Sequence, residues 1–165
     1  GTGTLTFAGV NNTADRFFYV QGRALTDILP TTLVARAPGY MDGVIEIAVD
    51  RAGFIIEFPG DFTTTAGGVQ ELIQIAAVRL IPTTGGFAES QPLRGGLSGV
   101  QVPVTSTFPA VGSITVSPLT FNAGDTRQTT HFTPLTAGQT EVMVGTPAGF
   151  MPPTTFTTIR ATVGP

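Results

Sequence analysis

Three blocks of this chain recur in the same order, and that recurrence limits the fold more than any other feature. Thr4-Leu5-Thr6-Phe7 is answered by Leu119-Thr120-Phe121, at an interval of 114 positions counted from Leu5 to Leu119. Pro38-Gly39-Tyr40-Met41 is answered by Pro147-Ala148-Gly149-Phe150-Met151, with Gly39 and Met41 each 110 positions from their partners. Ile45 and Val49 are then answered by Ile159 and Val163, again 114 positions on. A conserved order of blocks whose interval drifts only at loops is the mark of an internal repeat. The spacing predicts one complete unit over residues 51–165, preceded by the C-terminal half of another over residues 1–50.

The content of each block predicts β structure. Short runs rich in β-branched and aromatic residues recur between Gly, Pro and Asn: Arg16–Val20, Thr31–Arg36, Val44–Val49, Gly53–Phe58, Val100–Thr105, Ser113–Val116, Thr129–Thr133, Thr140–Val144 and Phe156–Val163. Alternation in the last of these places Ile159, Ala161 and Val163 on one face and Thr158, Arg160 and Thr162 on the other. The stretch Val69–Ile81 carries apolar residues at both helical and strand spacing. Its flanking Gly67-Gly68 and Pro82, in an all-strand context, favour a strand with a bulge. Pro103 has no N–H to give a ladder, so it predicts an edge or bulged position. Residues 83–99, with Gly85-Gly86 and Gly95-Gly96, read as a long loop. Seven or eight strands in roughly 115 residues have the size of an immunoglobulin-like sandwich. The fold class expected is therefore all-β, as tandem immunoglobulin-like β-sandwiches of which the first is incomplete.

Charge and composition exclude several functions. The formal net charge is −3, only 12% of residues are charged, and all eight cationic residues are arginine. That leaves no basic field with which to neutralise phosphates, and nucleic acid is excluded as a partner. There is no cysteine for disulfide or thiolate chemistry. No apolar run approaches the roughly 18–20 residues of a membrane span.

A resemblance adds to this reading. Val102-Pro103-Val104-Thr105-Ser106-Thr107-Phe108-Pro109-Ala110-Val111-Gly112 and Ser117-Pro118-Leu119-Thr120-Phe121-Asn122-Ala123-Gly124-Asp125 are similar to the consensus of bacterial Ig-like tandem-repeat domains. Such domains occur in large secreted and cell-surface proteins. The likeness covers the second unit well and the first only from Leu5 onward. It implies an extracellular or cell-surface location and a structural role as stalk, surface layer or filament subunit, assembling through sheet edges and faces with further copies or flanking repeats.

No residue set stands out for catalysis or for a cofactor, and the chain reads as non-enzymatic. His131 is the single histidine and has no Cys or second His to complete a zinc set. Asp42, Glu46, Asp50, Glu57 and Asp61 cluster in sequence near the junction of the units, but no Asp-x-Asp-x-Asp-Gly loop accompanies them, so solvated carboxylates are favoured over calcium. Asn11-Asn12-Thr13 is a formal N-glycosylation acceptor at Asn11, equally explained as a turn. Thr63-Thr64-Thr65 reads more economically as strand propensity than as a site for O-linked sugar. Most of Phe17, Phe18, Tyr19, Tyr40 and Phe150 are better assigned to core than to a sugar-stacking platform. The rival functions are an adhesin or carbohydrate-binding module, with its glycan-binding loops at one end of the sandwich, and an accessory domain of a secreted enzyme.

The candidate functional residues are apolar. A half sandwich leaves one sheet face bare, exposing Phe18, Leu33, Ile45 and Ile47 as assembly residues. The missing strands are expected from upstream sequence or from a neighbouring copy by strand addition of the donor-strand kind.

Overall fold

The structure is a computed structural model, and it describes residues 4–6, 18, 20, 22 and 30–165. Among these residues there are thirteen β-strands and no helix. The first two strands, β1 (Thr31–Ala35) and β2 (Gly43–Ile47), pair with each other as a separate two-stranded sheet. The others build a sandwich between Ala52 and Gly164. One sheet has the order β3 (Ala52–Phe58), β5 (Glu71–Leu80), β11 (Arg127–Pro134), β9 (Gly112–Ile114), with β6 (Phe87–Ser90) also paired to β5. The facing sheet has the order β4 (Phe62–Thr65), β13 (Thr158–Gly164), β12 (Gly138–Val144), β8 (Val104–Ser106). A short ladder of β7 (Val100–Val102) with β10 (Leu119–Phe121) completes it.

Alternation decides which side chains meet between the sheets. Phe54 and Ile56 from β3, Ile73, Ile75 and Ala77 from β5, and Phe132 from β11 face Val142 and Val144 from β12 and Ile159, Ala161 and Val163 from β13. Phenylalanine does the filling that tryptophan or a disulfide does elsewhere. The Phe54 ring lies 4.9 Å from Phe121 and 4.8 Å from Phe150, and Phe62 meets Phe132 edge-on at 5.4 Å. Two threonines are buried with this core. Thr140 Oγ1 accepts from the Phe108 N–H at 2.9 Å and shares a hydrogen with Ser106 Oγ at 2.8 Å, while Thr130 Oγ1 accepts from the Val116 N–H at 3.1 Å.

The stretch that carried both helical and strand spacing is a ten-residue strand, β5. Its mixed pattern comes from burial on both faces. Ile73, Ile75 and Ala77 enter the main core, while Ala76, Val78 and Leu80 form a second small cluster with Ile55 on the outer side of the sheet. A strand covered on both faces loses its alternation of polar and apolar residues. Pro103 marks the point where one extended segment changes sheets: β7 pairs with β10, and β8 with β12. Val102 and Val104 on either side are both fully buried.

Residues 83–99 are not wholly a loop, because Phe87–Ser90 forms β6 along the edge of β5. Beyond it the Leu93 N–H donates to Asp125 O at 3.0 Å and Leu93 O accepts from the Gly124 N–H at 2.9 Å, which ties the segment down. The Thr63–Thr65 run lies in β4, which joins β13 in parallel. In the Thr4–Phe7 block, Thr4, Leu5 and Thr6 are described, exposed and not in a strand, which corrects that expectation; Arg16–Val20 lies largely outside the described residues, and Asn11 lies outside them.

Gly124 and Gly149 have φ of +89° and +86°, with nothing within 4 Å of an added Cβ, so backbone conformation and not contact selects glycine. The Gly149 turn is closed by the Phe150 N–H donating to Pro147 O at 3.2 Å. Gly149→Val should destabilise the sandwich by roughly 1–3 kcal/mol, the cost of holding a branched residue at positive φ. Urea unfolding checks this, and an unchanged midpoint would show that the turn relaxes freely.

Candidate interaction surface

The β1–β2 hairpin reproduces the β12–β13 hairpin pair by pair. Leu33 opposes Ile45 and Thr32 opposes Glu46, as Val142 opposes Ile159 and Glu141 opposes Arg160. The turns match as well. The Tyr40 N–H donates to Ala37 O at 3.1 Å with Gly39 at φ +81°, the geometry seen at Pro147, Gly149 and Phe150. Pro38 before Gly39 suits a type II turn, whose third position needs positive φ. Arg36 and Asp42 close this turn at 2.9 Å, both well exposed.

Equivalent residues have opposite surroundings in the two hairpins. Ile159 is 7% exposed, and its counterpart Ile45 is 61% exposed. Phe150 packs on Phe54, whereas its counterpart Tyr40 is 81% exposed and the neighbouring Met41 is 95% exposed. Of the four assembly residues read from the sequence, Phe18 and Ile45 are exposed, and Leu33 and Ile47 are half-buried. None of the four belongs to either buried core cluster. Register places Leu33 beside Ile45, and Ile47 two residues along the same strand, so these three share one face. The sequence groups Phe18 and Tyr40 with aromatics assigned mostly to core, and the structure corrects this: at 53% and 81% exposure neither is buried. The signal for Tyr40 was the Pro-Gly-Tyr-Met echo, which sets it opposite an aromatic packed on the core.

The remaining polar candidates are dispersed. Asp42 pairs with Arg36, Asp50 with Arg79 at 2.6 Å, and Asp61 Oδ1 accepts from the Arg160 backbone N–H at 2.8 Å. Among the described residues no three His, Asp or Glu side chains converge as metal ligands. His131 lies exposed on β11, opposite Leu72. Phe150 is half-buried and packs against the core, and Tyr40 is on the β1–β2 turn, so they share no stacking platform; Phe17 and Tyr19 lie outside the described residues.

Among the described residues, Glu57 is the one strongly perturbed carboxylate. It accepts from the Arg127 guanidinium through both oxygens, from Gln74 Nε2 at 2.6 Å and from Ser90 Oγ at 3.2 Å. The Arg127 hydrogen bonds, against an opposing desolvation penalty, bring its pKa from 4.5 down to about 2. A carboxyl with a depressed folded pKa stabilises the fold above its unfolded pKa and loses that contribution as pH falls through the folded one. Stability should therefore decline between pH 4.5 and about 2, and Glu57→Gln should flatten that limb. The cluster is open to water, so the effect is modest. Thermal melts across this range check it, and identical slopes in the two proteins would refute it.

A shallow hollow on the outer face of the second sheet is lined by Thr107, Phe108, Gln139, Thr140, Glu141 and Arg160. Phe108 is 62% exposed there, beside the cross-strand neighbours Glu141 and Arg160.

No protein-family model matches the chain, and no curated protein matches it. Among solved structures it is similar to domains 4 and 5 of the S-layer protein SbsC, with a TM-score of 0.51 and 12% identity over 82% of this chain and 66% of that one. It also aligns with SbsC domains 1–6 (TM-score 0.47, 14% identity, 82% of this chain and 16% of that one). A third alignment is to the D00-D0 domain of intimin (TM-score 0.41, 13% identity, 73% and 54%). At these identities the first likeness speaks to fold: the chain is an all-β, immunoglobulin-like sandwich protein.

Proposed function

We propose that the chain is a structural module of an extracellular, repeat-built bacterial surface protein, in which sandwiches follow one another and the hairpin faces serve assembly. The observation that carries this reading is the hairpin β1–β2, which repeats the register and turn of β12–β13 outside the sandwich of residues 52–164. A stack of such units, each on its own core, makes an extended body with many lateral faces. The shared fold of the SbsC S-layer domains supports the same reading. The dispersal of the acidic residues onto separate partners, with a lone exposed His131, supports a non-enzymatic role. An antibody against residues 51–165 should decorate intact cells of the source organism, a readout that needs neither lysine nor cysteine, which the chain lacks. Labelling that requires lysis would overturn the proposal.

One observation favours a second reading, a glycan-binding module: the exposed Phe108 ring offers a stacking surface beside Gln139, Glu141 and Arg160. In a glycan array, signal that is lost in Phe108→Ala would support this reading, and a blank array would remove it.

A further inference from the structure

We infer that Asp50, Arg79 and Glu89 form a latch that fixes the direction in which the β1–β2 hairpin leaves the sandwich. The chain then passes from one repeat to the next through a stiff joint and not through a flexible linker. This deepens the surface-module reading, since an extended stack needs joints that hold their angle. Its test is read on purified protein and stands or falls separately from that reading.

The connection between the two elements is short, and its later residues are tied. β2 ends at Ile47 and β3 begins at Ala52. Ala52 pairs with Arg79 of β5, and the ladder continues one residue further, because the Leu80 N–H donates to Arg51 O at 2.8 Å. One residue earlier again, Asp50 Oδ2 accepts from Arg79 Nη1 at 2.6 Å. Ala48 and Val49 alone separate the last residue of β2 from the first tied residue of the connection, a reach of about 7 Å.

Arg79 is well placed to hold this joint. It stands between two strands, opposite Ala52 on β3 and Glu89 on β6. Glu89 Oε1 accepts from its Nε at 2.9 Å, so the guanidinium is steadied from one side while Nη1 reaches the connection. Ion pairs in open water contribute little. This one differs, because the Asp50 side chain is only 13% exposed, and partly buried pairs are screened less. The acid is not demanded by the strand it follows. The 114-residue interval that sets Val49 against Val163 sets Asp50 against Gly164. The apolar pattern repeats and the charge does not, and the partner of that charge lies in the sandwich that follows.

The test measures the spread of orientations. The chain has no cysteine, so pairs of spin labels can be introduced without background. Val44→Cys on β2 with Thr129→Cys on β11, both exposed, reports the hairpin against the sandwich. Thr129→Cys with Thr158→Cys on β13 reports one sheet against the other. Electron–electron double resonance should give one narrow distance distribution for the first pair. Asp50→Asn or Arg79→Ala should widen it about twofold or more, since units without a firm contact reorient freely, and Glu89→Gln should widen it less. The second pair should keep the parent's distribution throughout, which shows the sandwich intact. Asp50 lies outside the sandwich strands, so Asp50→Asn decides the matter if Arg79→Ala disturbs the fold. A first pair as narrow in Asp50→Asn as in the parent would overturn the inference. So would a distribution already broad in the parent. Neither result touches display at the cell surface, which antibody decoration decides.

Discussion

Gly112→Val should abolish the folded sandwich under conditions where the parent chain is stable, because the site has no room and no means of making it. A Cβ on Gly112 would overlap Cζ of Phe132 and stand 2.5 and 2.7 Å from its Cε2 and Cε1. Ring tips can sometimes swing away, but Phe132 is fully buried and held edge-on against Phe62. Pro134, two residues on, pairs with Gly112 itself and fixes the strand. Overpacking a filled core costs about 1–3 kcal/mol when neighbours yield, and this site sits at or beyond the upper end. That is a large part of a typical stability of about 5–15 kcal/mol. The measurement is urea unfolding by far-ultraviolet dichroism. Combining Gly112→Val with Phe132→Leu should recover part of the loss, since the shorter side chain vacates the collision. A double variant as unstable as the sum of the two singles would show that the ring is not the obstacle.

Phe54→Ala should lower stability by about 3–5 kcal/mol, the usual cost of emptying a buried phenylalanine site. Phe54 is 2% exposed and touches two other rings, Phe121 and Phe150, so its loss leaves a cavity that neither sheet can close without breaking a ladder. Phe150→Ala, at the edge of the same group, should cost less. Tyr40→Ala, at the equivalent place on the first hairpin, should cost almost nothing in this chain, since Tyr40 is already in water. Equal losses at Tyr40 and Phe150 would contradict the contrast between the two hairpins.

The parts of this fold legible in the sequence are those written in local pattern. The inward face of β13 follows from strict alternation: Ile159, Ala161 and Val163 are buried, and Thr158 and Arg160 are exposed. Pro103 was readable as a break in pairing because a missing donor is a property of one residue, and the break proved to be a change of sheet. What stayed hidden depends on distant partners. β6 has four residues and exists because the free edge of β5 is available beyond the start of β11. β4 was seen only as a threonine run, and its parallel partner lies about a hundred residues away at the other end of the unit. Parallel pairing has no turn to announce it. Of the candidate surface, Ile45 was readable from its period, and Tyr40 only from the repeat of its turn. The half-burial of Leu33 and Ile47 had no sequence signature at all.

The parallel pairing of β4 with β13 also has a mechanical consequence under tension. Pulling residue 52 and residue 164 apart loads β3 against β5 first and, once β3 yields, draws β4 toward its N-terminal end and β13 toward its C-terminal end. In a parallel pair these are opposite directions along one ladder. The bonds that join Phe62–Thr65 to Ala161–Gly164 are then strained together in shear, where an antiparallel terminal pair would peel open one bond at a time. Each unit is a mechanical clamp whose grip lies next to its exit, with β12 on the far side of β13 holding the same strand. A chain of such clamps would extend fully only after this ladder fails as a whole, so part of its resistance to stretching lies in four short rungs, three of threonine and one, Phe62, anchored on Phe132 in the core.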